Sequence, residues 1–487
     1  MGIFLTTKKK FDFAKWSLAL RNLPARRITH HLAELIQSDP QQAHQTLIAL
    51  ARGDRITGLG SLSSRLIELF MNTVSEALGM SRAEMAQMLH NPSIKQTVFN
   101  TVLSLDKYGL QFPQRFYAPL MVVWNITYHC NLRCKHCYEN AGPLRPGELP
   151  TNELTRAEKL AVVDELADSY VPTLSLSGGE PTIDPDFWAV AERATEHGLY
   201  LSMNTNGTTI TKEFAARLRE LDFAYVAVSV DAPTPELHDE FRGVSGAWER
   251  AVAGLRNVIA AGVNGVMSFT MSRDTYRMLP QMFELAEQLG CAKVMVFNFV
   301  PCGRGTQNAA QIDLDPRQRE EALEMMYEYA ASASKGSVCA TAPQLGRVCE
   351  MHQRSDLVPL AHTGPGRAGN LKILAELIGG CGVARAYCAL QPDGTITPCV
   401  YMPEVSLGNI TSTRLLEVWH NHPLLESLVD RSQLKGHCGV CDYREVCGGC
   451  RARAYAYTGD FHAPDPGCVY NTDTWEKIAT RERAGVA

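Results

Sequence analysis

No uninterrupted apolar run in these 487 residues reaches the ~18 that a membrane-spanning helix needs. The chain is therefore expected to be soluble, or at most peripheral to a membrane. It also lacks a dominant charge: 47 lysines and arginines stand against 52 aspartates and glutamates, so no global field recruits nucleic acid. No secretory signal is expected from the start "MGIFLTTKKKFDFAKW", which places its charges after a very short apolar run. A cytoplasmic, reducing setting follows as the expectation, and there 15 cysteines read as metal ligands rather than disulfides. No long internal repeat or low-complexity segment interrupts the chain.

What is present divides by texture. Residues 1–118 read as an N-terminal helical domain, with Ser38, Asp39 and Pro40 opening a run that ends at Gly53, and Ser81 opening "RAEMAQMLH". From Met121 six strand-like runs ("MVVWNIT", "TLSLS", "LYLSMN", "AYVAVSV", "GVMSFTM", "KVMVFNFV") alternate with amphipathic helical stretches. Six βα units with right-handed crossovers predict an α/β fold, a partial (β/α)6 barrel of the TIM type over residues 119–315, with chemistry on loops at the strands' C-terminal ends. A helical connection is expected over 316–370, where the Gly/Pro loop "GPGRAG" marks a boundary. Residues 371–487 form a cysteine-rich module, since eight of the 15 cysteines lie between Cys381 and Cys468.

Two loops carry the first chemical signal. "CNLRCKHC" follows the first strand and offers Cys130, Cys134 and Cys137. A structural zinc or closed iron-sulfur site takes four protein ligands, so three leave either a distant fourth ligand or an open metal position. The second loop, "SLSGGEP", puts Gly178, Gly179, Glu180 and Pro181 directly after the second strand, where paired glycines let backbone approach a ligand closely. One βα unit apart, these motifs resemble the radical SAM superfamily. That resemblance implies a 4Fe-4S cluster on the three cysteines whose open iron binds S-adenosylmethionine, giving a 5′-deoxyadenosyl radical that abstracts hydrogen from a substrate. It further implies that Gly178, Gly179 and Glu180 hold the methionine amino group. Asn204, Ser229 and Asp231 would lie near the ribose, Arg242 near the methionine carboxylate, and His136 and Tyr138 against the adenine.

In the C-terminal module, "CGVARAYCALQPDGTITPC" reads as a hairpin turning at Pro392, Asp393 and Gly394. A two-residue loop of Asp393 and Gly394 would set Cys388 opposite Cys399. The later group "CGVCDYREVCGGC" adds Cys438, Cys441, Cys447 and Cys450, followed by Cys468; the spacing alone also fits two zinc sites. Beside a radical SAM core it resembles a SPASM domain, although the last pair is CxxC where that family usually has CxxxC. The resemblance implies two auxiliary 4Fe-4S clusters, for three in all: an outer one on Cys438, Cys441, Cys447 and Cys468, and an inner one on Cys381, Cys399 and Cys450. The hairpin nominates Cys388 as the inner cluster's fourth ligand; as a strand-core residue instead, it would leave that cluster an open iron.

The stretches "VVWNITYHCNLRCKHCYENAG", "FNFVPCGRG" and "APQLGRV", with the late cysteine group, resemble enzymes of heme-d1 and alternative heme biosynthesis, which implies a tetrapyrrole side chain as substrate. A membrane lipid chain and a peptide are the alternatives, and a cluster-bearing electron-transfer or scaffold protein is the non-enzyme reading. The lipid option draws on Phe13, Trp16, Leu20 and Leu23 at helical spacing beside Lys8, Lys9, Lys10 and Lys15, a pattern that suits a membrane interface as well as packing on its own domain. Cys302, after the sixth strand, is expected to face the reaction chamber, as a hydrogen-atom donor or thiolate ligand to an intermediate, with a buried structural thiol as the alternative. A flavodoxin or ferredoxin is the implied reductant.

Overall fold

The computed structural model describes residues 23–54, 68, 72, 75, 80–143, 152–332, 337–352, 357–360, 364–367 and 379–483. The basic stripe from Lys8 to Leu20 lies outside these residues.

The N-terminal segment is helical where its start signals predict. Asp39 caps helix Pro40–Arg52 by accepting from the Gln42 amide, and the run stops at Gly53. Ser81 and Glu84 form a reciprocal capping box at helix Arg82–Met88. Helices Leu23–Ser38 and Pro92–Tyr108 complete the described layer. They share a small core around Ile36, Leu47 and Phe99, separate from the main one.

The central element is a ten-stranded sheet. Seven parallel strands run in chain order: β1 (Met121–Asn125), β2 (Thr173–Ser177), β3 (Tyr200–Thr205), β4 (Tyr225–Ser229), β5 (Gly265–Met271), β6 (Lys293–Asn298) and β7 (Val338–Ala340). Their side chains are buried on both faces, as crossover helices require, and form one continuous core with the C-terminal module. The α/β barrel-type fold therefore holds, with β7 added in chain order to the six barrel strands expected. β7 is three residues long, too short for a period-two pattern to announce. It falls in the stretch 316–370 read as helical, which also contains helices Pro316–Ser332 and Gln344–Met351. A further difference is "GPGRAG": β9 (Gly364–Arg367) pairs antiparallel with β8 (Leu357–Leu360) there, so Gly and Pro sit in an isolated two-stranded edge, where proline is tolerated, rather than in a loop.

The C-terminal module continues the barrel sheet. β10 (Tyr387–Leu390) lies parallel to β1, with Val122 opposite Cys388, and β11 (Thr395–Thr397) and β12 (Gly408–Asn409) follow antiparallel. The hairpin register corrects the expectation. Leu390 faces Ile396 and Ala389 faces Thr397, so the loop is Pro392-Asp393-Gly394, closed by the Gln391 and Thr395 pair with Gly394 in the left-handed region at φ 83°. Cys388 is consequently not opposite Cys399. A one-residue slip exchanges the two faces of a strand, and Cys388 is left wholly buried in the core.

Candidate functional site

The loop after β1 is held by backbone rather than by its cysteines. Cys130 N–H donates to Gly142 O, Arg133 N–H to Arg242 O and Lys135 N–H to Phe241 O. Arg304 reaches back from beyond β6 to donate to Cys134 O at 2.8 Å and Ala141 O at 2.6 Å. Beneath it crosses the GGEP turn, where Gly179 N–H donates to Thr127 O and Glu180 N–H to His129 O.

Cys130, Cys134 and Cys137 line a cavity of about 220 Å³ that opens over the strand ends and into the sheet's interior. His136, Tyr138, Gly178, Gly179, Asn204, Ser229 and Arg242 line it as well. His136 stacks on Phe241 with centroids 4.2 Å apart, and burial drops its pKa to about 3, leaving a neutral ring. Tyr138 donates to Asn125 Oδ1 and shares a hydrogen bond with Ser177 Oγ, both at 3.0 Å.

Three other expected residues sit behind this wall. Glu180 is fully buried and accepts from the Thr182 and Thr205 hydroxyls and the Asn206 amide, so it ties β2's loop to β3's. Asp231 accepts from Arg242 Nε at 2.5 Å and from Thr270 N–H. Burial alone would raise its carboxyl, but the guanidinium outweighs that and holds it below the usual range. It thereby aims Arg242, whose Nη1 stands 3.6 Å from Cys134 Sγ. Cys302 is not among the residues that line the chamber: its buried thiol donates to Val300 O at 3.5 Å, close behind the lining cysteines Cys137 and Cys399, whereas Cys339 on β7 does line it.

Sequence reading passed over Arg304 and Asn206. Asn206 Nδ2 lies 3.8 Å from Cys130 Sγ and 2.7 Å from Asn131 Oδ1. Neither carries a local motif; both act through chain reversals of many residues.

In the C-terminal module the cysteines divide into two groups. Cys381, Cys399 and Cys450 line the same cavity as the first-loop trio. Cys438, Cys441, Cys447 and Cys468 line a second, small pocket with Arg347 and Asn471. Cys388 belongs to neither; burial alone pushes its thiol up to about 12.

The surroundings of these sulfurs fit anionic clusters. Backbone and amide N–H groups point at them: Leu132 N at 3.4 Å from Cys130 Sγ, Gly449 N at 3.3 Å from Cys447 Sγ, Arg453 N at 3.5 Å from Cys450 Sγ, and Asn471 Nδ2 at 3.4 Å from Cys438 Sγ. The Arg453 guanidinium is fully buried, makes no hydrogen bond, and stands 3.8 Å from Asp465. As thiols, Cys130 and Cys468 are pushed by burial up to about 12, so their thiolates form only when a metal takes the proton's place. Among the described residues, no three His, Cys, Asp or Glu side chains converge closely enough for one metal ion.

A family model of the radical SAM superfamily matches residues 124–286, and one of the SPASM iron-sulfur cluster-binding domain matches 381–451. An AdoMet-dependent heme synthase of Methanosarcina barkeri is 34% identical over 72% of this chain and 97% of its own length. A pre-heme d1 synthase of Dinoroseobacter shibae is 32% identical over 72% and 85%, and mycofactocin maturase MftC of Mycobacterium tuberculosis 33% over 77% and 88%. Among solved structures, Streptococcus suis SuiB bound to S-adenosylmethionine superposes with TM-score 0.60 at 16% identity, covering 84% of this chain and 89% of that one. The two domains imply iron-sulfur clusters and S-adenosylmethionine as cofactors. The chain belongs to the radical SAM superfamily: it is a radical SAM enzyme with a SPASM domain, among relatives that include heme and pre-heme d1 synthases.

Proposed function

We propose that this enzyme oxidises or decarboxylates a carbon side chain held between two cysteine trios, with three 4Fe-4S clusters on Cys130/Cys134/Cys137, on Cys381/Cys399/Cys450 and on Cys438/Cys441/Cys447/Cys468. The observation that carries the reading is the shared cavity: both trios line it, so a substrate within would touch both. When bound, the first cluster and S-adenosylmethionine supply a 5′-deoxyadenosyl radical that takes a hydrogen atom from carbon.

The residues on the wall do the positioning. Asp231 fixes Arg242 where a carboxylate of the cofactor can accept from it. Neutral His136, flat against Phe241, offers an uncharged aromatic edge. Gly178 and Gly179 bring backbone to the cavity surface, and Asn204, donating to Ser175 Oγ at 3.1 Å, presents its amide beside them.

The heme synthase and pre-heme d1 synthase relatives support a tetrapyrrole side chain as the substrate. A second reading draws on the cavity's deeper wall. Ser175, Tyr225, Ser268, Met295 and Phe297 make it uncharged, which suits an acyl chain, because buried carboxylates need partners. No helix among the described residues is long and apolar enough to cross a membrane, so a lipid substrate would be met at a membrane surface.

Anaerobically reconstituted protein with dithionite and S-adenosylmethionine is expected to release 5′-deoxyadenosine, and Cys130→Ala to release none; no release by the parent protein would overturn the reading. Mass spectrometry of small molecules and lipids from cells with and without the protein separates the substrates. A propionate-bearing tetrapyrrole accumulating in its absence supports the first, and an altered lipid chain the second.

A further inference from the structure

Two buried arginines meet at the seam between the inner and outer cysteine groups. Arg385, in the bend before β10, and Arg431, in a single helical turn at Arg431–Gln433, are 2% and 7% exposed. Both donate to one acceptor, Cys381 O, from Arg385 Nη2 at 2.5 Å and Arg431 Nη2 at 3.4 Å. Arg431 also donates through Nη1 to Arg444 O at 2.7 Å and to Glu445 O. Its guanidinium lies against the Cys447-Gly448-Gly449-Cys450 turn: a Cβ on Gly448 would stand 2.9 Å from Arg431 Cζ. That turn carries an outer-group cysteine at one end and an inner-group cysteine at the other, and Cys381 N–H donates to Cys447 O at 3.2 Å. Arg431 thus touches the backbone that joins the two groups.

Two guanidiniums sharing one carbonyl repel each other strongly where little water screens them. Burial, followed by Arg431, opposes the charge on Arg385, and Cys381 and Glu445 favour it. For Arg431 burial again opposes the charge, and Cys381, Glu445 and Cys447 favour it. Arginine does not solve this by losing its proton, so negative charge has to be close: the Glu445 carboxylate gives part of it to both guanidiniums, and the cysteines around the turn are where more can sit. Thiolate-bound clusters on either side of the turn would supply it, which is also the condition under which the arginines return the favour.

Resting on the cluster assignment above, we propose that Arg431, backed by Arg385, is the shared positive charge that raises the reduction potentials of the two auxiliary clusters, so that an electron leaving the substrate moves onto them. The sign follows from charge: reduction adds one negative charge to a cluster, a nearby guanidinium stabilises that form, and the potential rises. Arg431 is a positioning residue in this scheme. It is not among the residues that line the cavity, and the hydrogen bonds described for it run to the backbone carbonyls of Cys381, Arg444 and Glu445.

The test is an EPR-monitored redox titration of the reconstituted holoenzyme, with iron counted per chain, for the parent protein, Arg431→Met and Arg431→Lys. The auxiliary midpoints are expected to move negative in Arg431→Met and to stay near the parent's in Arg431→Lys, which keeps the charge and loses the fork. The first-loop cluster's signal should be unchanged in both. Loss of auxiliary iron in the Met variant alone also supports the charge. Unshifted midpoints in a fully loaded Met variant, or equal losses or shifts in both variants, overturn the proposal; the latter would make Arg431 a tie between carbonyls. Absence of auxiliary signals in the parent protein would instead sink the cluster assignment.

Discussion

Gly179 has no room for a side chain: a Cβ there would stand 1.9 Å from His129 O, a backbone atom. Neither partner can yield without displacing the loop that carries Cys130. Gly179→Ala is therefore expected to cost at least ~3 kcal/mol, in the range of severe backbone clashes, and to lower first-loop iron; a melting temperature and iron content equal to the parent's would refute this. Asp231 is a second test at this scale. Removing its charge leaves Arg242 buried beside Cys134 without a counter-ion, a change worth ~3–5 kcal/mol for a broken buried pair. Asp231→Asn should weaken S-adenosylmethionine binding measured by calorimetry, with auxiliary iron unchanged. The glycine pair was legible from the motif, because backbone approach needs glycine whatever the fold. The role of Asp231 was not. Its reading as a ribose contact came from family position, and only the pairing with Arg242 turns its carboxylate behind the wall.

At the scale of elements, the hairpin of β10 and β11 decides which cysteines can act together. Its three-residue loop sends Cys388 into the core beside Val122 and leaves Cys399 in the cavity. Cys388→Ala is expected to keep full auxiliary iron, while Cys399→Ala loses about four irons per chain, one cluster's worth; equal iron losses would restore Cys388 as a ligand. The "PDG" turn announced a hairpin and not its length, since a two-residue and a three-residue loop use the same residues and differ by one step of register. The joint between the N-terminal helices and the barrel shows the same limit. Fully buried Asn100 donates to Ala118 O at 3.0 Å and Tyr170 O at 3.2 Å. Asn100→Ala should cost ~1–3 kcal/mol for the groups it strands, read from thermal denaturation. An asparagine in a helical stretch gives no sign of such a task.

Over the whole molecule, parallel pairing of β10 with β1 makes the barrel and the cysteine-rich module one sheet with one core. That pairing brings the inner trio to the cavity of the first-loop trio, while the outer four stay in their own pocket. Loss of the outer group should therefore spare the first chemical step: Cys438→Ala is expected to lose auxiliary iron and substrate turnover while still releasing 5′-deoxyadenosine. Loss of that release as well would mean the two regions do not act separately. By itself the sequence determined the class of chemistry, the βα order and the helix starts, because cysteine spacing, hydrophobic period and capping residues are local and act over a few neighbours. Only the tertiary structure decided that Cys388 stays out of the chamber, that β7 adds a strand after β6, and that Arg385 and Arg431 meet at Cys381. Those outcomes depend on strand register and on contacts between segments far apart in the chain, where a shift of one residue reverses which side chains face each other.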